Sequence, residues 1–425
     1  PDVAMNATFA PTMPPPGPVA FMSQSGALGV TILDYASELG IGIRQFASVG
    51  NKPDVSGNDL IEYWAEDPAI RVILMYLESF GNPRKFTRIA RRVTRRTPIA
   101  VVKSGRTAAG ARAATSHTGS LAGADATTDA LLAQCGVIRV DSVQALFDVA
   151  MAFGHLPIPA GNRIAIVTNA GGPGIMIADA CEAAGLEIVE LTAGTQARLR
   201  ASMPEEASVR NPVDMIASAT AARYRVALDA VLEDANVDAA IAAFVPPLGV
   251  RQQDVAAAIV EARRAHAKKP LVAVLMGREG LPEGRAELQE AGVPAYIFPE
   301  SAARALAAMD AHRRWLDRPT GKVQTFAVDR DAVRRIVAEH LARGQEQIPA
   351  ADALAILRAY GIPAVECRVV ASEDEAAAEA VALGLPAVLK VVSRDIVHKS
   401  DVGGVAVDLR SEAEVRRAYA AMMSR

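Results

Sequence analysis

The sequence is poor in cysteine: Cys135, Cys181 and Cys367 stand far apart in 425 residues. Such scatter fits neither a disulfide framework nor a zinc site. Aromatic residues are only 4 % of the chain, and Ala, Val, Ile and Leu carry the apolar content instead. That balance belongs to proteins whose helices pack on buried parallel strands. No charge of one sign dominates, because the formal net charge is −3. A basic footprint for nucleic acid is therefore missing, and no nucleic-acid partner is expected. Long hydrophobic runs are missing too. Runs such as Val72–Leu77 fall far short of the roughly 20 residues that cross a bilayer. The expectation is a cytoplasmic protein with no membrane association.

Apolar residues make up 51 % of the sequence, enough for sizeable cores. The length suits about three domains. Residues 1–17 are rich in proline (Pro11, Pro14, Pro15, Pro16) and read as an extended linker. From Pro18 onward, short β-branched runs alternate with Ala-rich helical stretches, the βαβ rhythm of a doubly wound parallel sheet. Strands are expected at 19–22, 43–48, 72–77 and 99–102, and helices over 26–39, 59–64 and 123–134. Pro and Gly cluster in Leu156–Gly161, where a second α/β unit begins with Arg163–Val167. Its later strands are expected at 239–244, 271–275 and 295–297. After a linker, a smaller α+β unit follows, with helix 351–360, strand 364–370, helix 373–383 and strands 387–391 and 405–409.

Several motifs carry chemistry. Ser23-Gln24-Ser25-Gly26 follows a strand and opens a helix, so Ser23, Ser25 and Gly26 are candidates for an anion site at a helix N-terminus. An ordinary N-cap with a packing glycine is the competing account. Thr168-Asn-Ala-Gly-Gly-Pro-Gly174 repeats that architecture, which makes Asn169, Gly171, Gly172 and Gly174 phosphate-binding candidates. Its glycine spacing departs from the dinucleotide fingerprint. Two such helix ends could face each other across one pocket. Glu78 ends the third strand, where side chains enter the crevice in which α/β proteins bind ligands. His117 lies in a loop rich in Gly, Ala, Ser and Thr, and His398 lies in Asp395-Ile-Val-His-Lys-Ser-Asp-Val-Gly-Gly404. Imidazole is largely uncharged near neutral pH and can attack phosphorus, and Glu78 can orient the ring of His117. Two such histidines point to a phosphoryl relay. His155, His266, His312 and His340 lack comparable neighbours and are read as structural. Lys390 sits on a strand within reach of nucleotide phosphates, or else belongs to a charged hairpin. Asp214, in Asn211-Pro-Val-Asp214, either caps a helix or holds the glycine turn.

In order, these motifs resemble the NDP-forming (ADP-forming) acyl-CoA synthetases, relatives of succinyl-CoA synthetase, over nearly the whole chain from Pro18. The resemblance implies two tandem flavodoxin-like, succinyl-CoA synthetase-like domains followed by a partial ATP-grasp α+β subdomain. Boundaries are placed at 1–17 for the exit segment of a missing CoA-binding domain, 18–157, 161–316, a 317–345 linker, and 346–425. It implies an acid–CoA ligase of the acetate–CoA ligase type. That activity interconverts acyl-CoA, ADP and phosphate with carboxylic acid, CoA and ATP, through acyl phosphate and phosphohistidine. His117 would take the phosphoryl group, Glu78 would support the ring, His398 would relay it, and Lys390 would hold nucleotide phosphate. The implied cofactors are ATP/ADP, Mg2+ and coenzyme A, and the small-molecule partners are a carboxylic acid, CoA, phosphate and adenine nucleotide. A homo-oligomer is expected. Two other readings share this scaffold: the regulatory part of a protein lysine acetyltransferase, and a non-catalytic CoA- or nucleotide-binding module. Because the sequence starts Pro1-Asp2 and stops at Arg425 within a helical pattern, a fragment is expected.

Overall fold

A computed structural model gives the fold, and it describes all residues except 1–4, 9, 53, 108, 111, 113–124, 248, 278–283, 323, 346, 394–398 and 425. The described chain divides into two compact units, Pro1–Pro319 and Thr320–Arg425.

The first unit holds two parallel sheets. One consists of β1 (Val19–Ser23), β2 (Ile43–Ser48), β3 (Val72–Leu77), β4 (Ile99–Lys103) and β5 (Ile138–Val140), in the order β2-β1-β3-β4-β5. The central strands β1, β3 and β4 are apolar runs buried almost throughout, as expected where helices cover both faces of a parallel sheet, while β2 and β5 are only partly buried. The second sheet contains β6 (Arg163–Thr168), β7 (Glu187–Ile188), β8 (Val213–Asp214), β9 (Ala239–Phe244), β10 (Leu271–Leu275) and β11 (Ala295–Tyr296). Its order is β11-β10-β9-β6-β7, and β8 takes the upper half of the same β6 edge, pairing Val167 with Val213 and Thr168 with Asp214. The first sheet follows the flavodoxin-like 2-1-3-4-5 order, and the second follows it too once the two-residue β8 is set aside. The sheet order reverses between β1 and β3 in one and between β6 and β9 in the other.

Helices Val143–His155 and Pro299–Leu316 tie the sheets into one core. That buried cluster takes in Phe21, Leu74 and Ala100 from the first sheet and Ile166, Ile241 and Val272 from the second. Asp148 is buried within it, and desolvation raises its pKa. Arg304 pairs with its carboxylate, Gln144 donates to Oδ1 at 3.0 Å, and the Tyr296 hydroxyl donates to its carbonyl at 2.8 Å. His312 stacks on Trp315 in the same layer, and burial pushes its pKa down to about 4.

The second unit has helices Arg330–Ala342, Ala350–Ala359, Glu373–Leu383 and Glu412–Met423, and an antiparallel pair of β12 (Ala387–Lys390) with β13 (Val405–Leu409). The strand expected at 364–370 does not form. Its alternating pattern lies extended with no ladder partner among the described residues, and Val365 and Val369 are exposed. The 317–345 segment contains the helix Arg330–Ala342, which meets Ala350–Ala359 through His340. His340 bonds Gln345 through Nδ1 and Asp352 at 2.8 Å through Nε2, and these contacts raise its pKa. A raised folded-state pKa contributes stability that is full below the ordinary value of about 6.5 and fades as pH rises through the raised value. Amide-exchange protection of helix 330–342 is therefore expected to fall as pH rises above about 6.5. The fall should vanish in His340→Gln, and a pH-independent wild type would refute it.

No described helix is long and apolar enough to cross a membrane.

Candidate functional site: two locked crevices

Each sheet opens a crevice at its topological switch point, beyond the carboxyl ends of its strands, and each is built from the same local device. In the first, Ser23 ends β1 and its hydroxyl donates to the Ser25 carbonyl at 2.7 Å while accepting from the Ser25 N–H at 3.1 Å. Ser25 then caps helix Gly26–Glu38, its side chain accepting from the Leu28 N–H at 3.3 Å. In the second, Thr168 ends β6 and does the same to Ala170, donating to its carbonyl and accepting from its N–H, both at 3.1 Å. Helix Gly171–Ala183 follows. A short hydroxyl side chain at the strand end thus sets the entry angle of each helix, leaving first-turn N–H groups pointing outward.

Between hydroxyl and helix sits a carboxamide that crosses the switch point. The Gln24 Oε1 accepts from the backbone N–H groups of both Glu78 and Ser79, the latter at 2.9 Å, and Nε2 donates to the Ser79 carbonyl at 2.8 Å. Asn169 does the equivalent job, donating to the Val245 carbonyl at 2.8 Å and accepting from its N–H at 2.9 Å. Both side chains are buried. Gln24 was not singled out from the sequence, and its partners lie more than fifty positions away. The signal that could have found it is its alignment with Asn169.

The structure brings Ser23, Ser25, Gly26 and Glu78 to the first crevice, and Asn169, Gly171, Gly172 and Gly174 to the second. Glu78 is half-buried, and its carboxylate accepts no hydrogen bond from a described residue. The charges of Lys52 and Lys103 both interact with it. Lys52 donates to the carbonyl and hydroxyl of Ser79 at 2.9 and 2.6 Å, and Lys103 faces Leu77 across the β3–β4 pair. Sequence reading passed over both lysines. A lysine closing an otherwise apolar strand, as in Ile99-Ala-Val-Val-Lys103, is the legible sign.

The second crevice is lined by glycine rather than charge. A side chain at Gly174 would stand 3.0 Å from Thr168 Cγ2, so this glycine permits close packing of helix on strand. Gly172 faces open space. Asp214 lies beside the glycine turn without a hydrogen bond to it among the described residues: Oδ1 accepts from the Ile216 N–H at 3.0 Å, and Oδ2 lies 3.2 Å from where a Gly171 Cβ would be. Thr220, not Asp214, caps the next helix. The expected effect of Gly172→Ala is a thermal midpoint unchanged or raised, since Ala favours a helix over Gly by up to about 1 kcal/mol. Phosphate affinity is expected to fall by roughly tenfold, which is about 1.4 kcal/mol. Isothermal titration beside a melting curve checks both, and unchanged affinity would remove Gly172 from the site.

Lys390 lies on β12 with an exposed side chain. His117 and His398 fall outside the described residues. Among the described residues, no group of three or more His, Cys, Asp or Glu side chains is placed to hold a metal ion.

The doubled switch-point architecture defines a class, and comparison with known proteins gives it the same shape. Residues 16–153 match a succinyl-CoA ligase-like flavodoxin domain, residues 164–323 a Ligase-CoA domain, and residues 339–425 an ATP-grasp domain. The chain is 37 % identical over 417 residues to a 4-hydroxybutyrate–CoA ligase (ADP-forming) of Nitrosopumilus maritimus, covering 98 % of this chain and 60 % of that one. It is 39 % identical over 308 residues to the alpha subunit of acetate–CoA ligase (ADP-forming) II of Pyrococcus furiosus, covering 72 % and 67 %. Among solved structures, an acetyl-coenzyme A synthetase 1 of Ca. Korarchaeum cryptofilum, in complex with phosphate and ADP, superposes with a TM-score of 0.70 at 36 % identity. That match covers 73 % of this chain and 68 % of the other. The chain belongs to the NDP-forming acyl-CoA synthetase family. It spans about 60 % of the length of the longer curated relatives it matches.

Proposed function

We propose that the protein is an acid–CoA ligase (ADP-forming) of the acetate–CoA ligase type. It interconverts acyl-CoA, ADP and phosphate with a carboxylic acid, CoA and ATP through acyl phosphate and phosphohistidine. The observation that carries this reading is the pair of like-built crevices, one holding Glu78 with two lysines and the other offering a bare glycine turn. We divide the chain accordingly into 18–157, 161–316 and 346–425, joined by the 317–345 segment.

In this reading the first-turn N–H groups at Gly26, Gly171 and Gly172 receive phosphate oxygens, while Ser25 and Gly174, whose N–H groups are taken by the Ser23 hydroxyl and the Ala170 carbonyl, shape the two turns. Ser23 and Asn169 serve by fixing the two turns. A neutral imidazole nitrogen of His117 attacks the phosphorus of the acyl phosphate, a new N–P bond forms, and the carboxylate leaves with the P–O bonding pair. Glu78 accepts the hydrogen bond of the other ring nitrogen and offsets the cationic character of the phosphorylated ring. His398 then carries the phosphoryl group toward the nucleotide, whose phosphates meet the Lys390 ammonium as a point charge. Mg2+ accompanies the nucleotide, for which the described residues present no ligand set of three or more His, Cys, Asp or Glu side chains. Coenzyme A and a small carboxylic acid complete the partners.

The test is product identity. The purified protein, given acetyl-CoA, ADP and phosphate, is expected to form ATP in step with free CoA. Formation of AMP and pyrophosphate in the reverse direction, or no ATP at all, would overturn the reading.

A further inference from the structure

Lys103 is 9 % exposed, yet no carboxylate lies within 4.0 Å of its ammonium among the described residues. Among the described residues its one hydrogen bond goes to the adjacent Ser104 carbonyl. An ammonium carries three donors, so two find no acceptor among the described residues. Buried lysines are ordinarily paired, because removing the charge from water costs free energy that a partner must offset. Lys52 adds a second anomaly. Its backbone φ is +58°, in the left-handed region that a non-glycine residue rarely occupies, and such strain gathers at functional positions. Its ammonium closes on Ser79, the residue after Glu78, and Lys103 sits across the strand pair from Leu77, the residue before it. Burial draws both lysines below their usual pKa, and attraction from Glu78 works against that lowering in each.

We propose that Lys52 and Lys103 form a cationic pair that binds a dianionic phosphoryl group at the edge of the first sheet, beside Glu78 and the helix N-terminus at Ser25-Gly26. This deepens the ligase reading and rests on it for the identity of the anion. The charge balance makes the pair necessary. Glu78 alone repels a dianion, and one helix end contributes only about half a positive charge. Two ammonium groups reverse the sign of the crevice while leaving Glu78 free for an imidazole. The unfilled donors on Lys103 are then the places where phosphoryl oxygens bond, in charge-assisted contacts that are stronger than neutral ones. Inorganic phosphate and acyl phosphate present the same oxyanion chemistry, and both are assigned to this pair.

The experiment titrates inorganic phosphate and acetyl phosphate separately into the full chain by calorimetry, for wild type, Lys103→Met and Lys52→Met. Each substitution is expected to weaken phosphate binding at least tenfold. The thermal midpoint of Lys103→Met is expected to stay level or rise, since an unpaired buried charge is removed. In turnover, KM for phosphate rises by the same factor, with KM for ADP and acyl-CoA unchanged. Phosphate affinity within twofold of wild type in both variants overturns the inference, as does a wild type that binds no phosphate. Lysine-dependent phosphate binding in a protein that makes no ATP leaves this inference standing and overturns the ligase reading. Weakening for acetyl phosphate alone restricts the pair to the acyl intermediate and overturns its assignment to inorganic phosphate. Should Lys103→Met fail to fold, the Lys52→Met titration decides.

Discussion

Replacing His117 with Asn is expected to remove all acid-labile, base-stable label transferred from γ-labelled ATP and to lower turnover by roughly 10⁴-fold or more. The size follows from chemistry. Phosphoramidate formation needs an unprotonated ring nitrogen, and Asn matches the polarity of His without any nucleophilicity. Removing a covalent nucleophile leaves only binding and charge stabilisation, which cannot form the phosphoenzyme intermediate the route passes through. Folding should be untouched, so the melting curve of the variant serves as its control. Label persisting at wild-type level in His117→Asn would sink the assignment of that residue. The companion variant fixes the order of the relay. His398→Ala is expected to block labelling from ATP while permitting it from labelled acyl phosphate, and equal labelling from both donors would refute the order.

Gln24→Leu has the second largest expected effect, and it acts through structure. Leucine fills nearly the same volume but leaves the N–H groups of Glu78 and Ser79 without their acceptor. Unsatisfied buried groups cost about 1–3 kcal/mol each, and these two are only part-buried, so a loss of about 2–4 kcal/mol in unfolding free energy is expected. Catalysis suffers separately. Glu78 follows directly on β3 and takes its position from that carboxamide, and misplacing a catalytic group by about 1 Å can cost 10²-fold. Urea denaturation and single-turnover phosphoryl transfer measure the two consequences apart. A variant with wild-type stability and rate would show that the switch point does not depend on Gln24. Asn169→Leu is the matched comparison, breaking the same lock in the second sheet without touching Glu78.

Much of the fold was legible because apolar runs bounded by turn residues mark strands, most plainly where both faces are buried. The runs at 43–48, 72–77, 239–244, 271–275 and 405–409 became strands with the expected ends. Residues 364–370 alternate equally well and form no strand, since alternation reports a half-buried surface but not whether a ladder partner exists. The site was legible where it depends on local sequence: the hydroxyl–amide–glycine turns, and Glu78 at a strand end. What stayed hidden depends on register. Lys103 gains meaning only from lying opposite Leu77, and Lys52 only from reaching Ser79. The placement of Asp214 beside Gly171 likewise requires β8 to pair on β6, a two-residue strand too short to announce itself.

The hydroxyl–carboxamide device occurs twice in this chain. Ser23-Gln24-Ser25-Gly26 and Thr168-Asn169-Ala170-Gly171 share no identical residue except the glycine, yet they fold alike. In this chain an apolar strand followed by Ser or Thr, then Gln or Asn, then a small residue, then Gly, marks each place where a parallel sheet reverses its order. The two copies stand one domain length apart, one for each sheet. They also name, for each sheet, the one side chain whose loss should loosen the crevice.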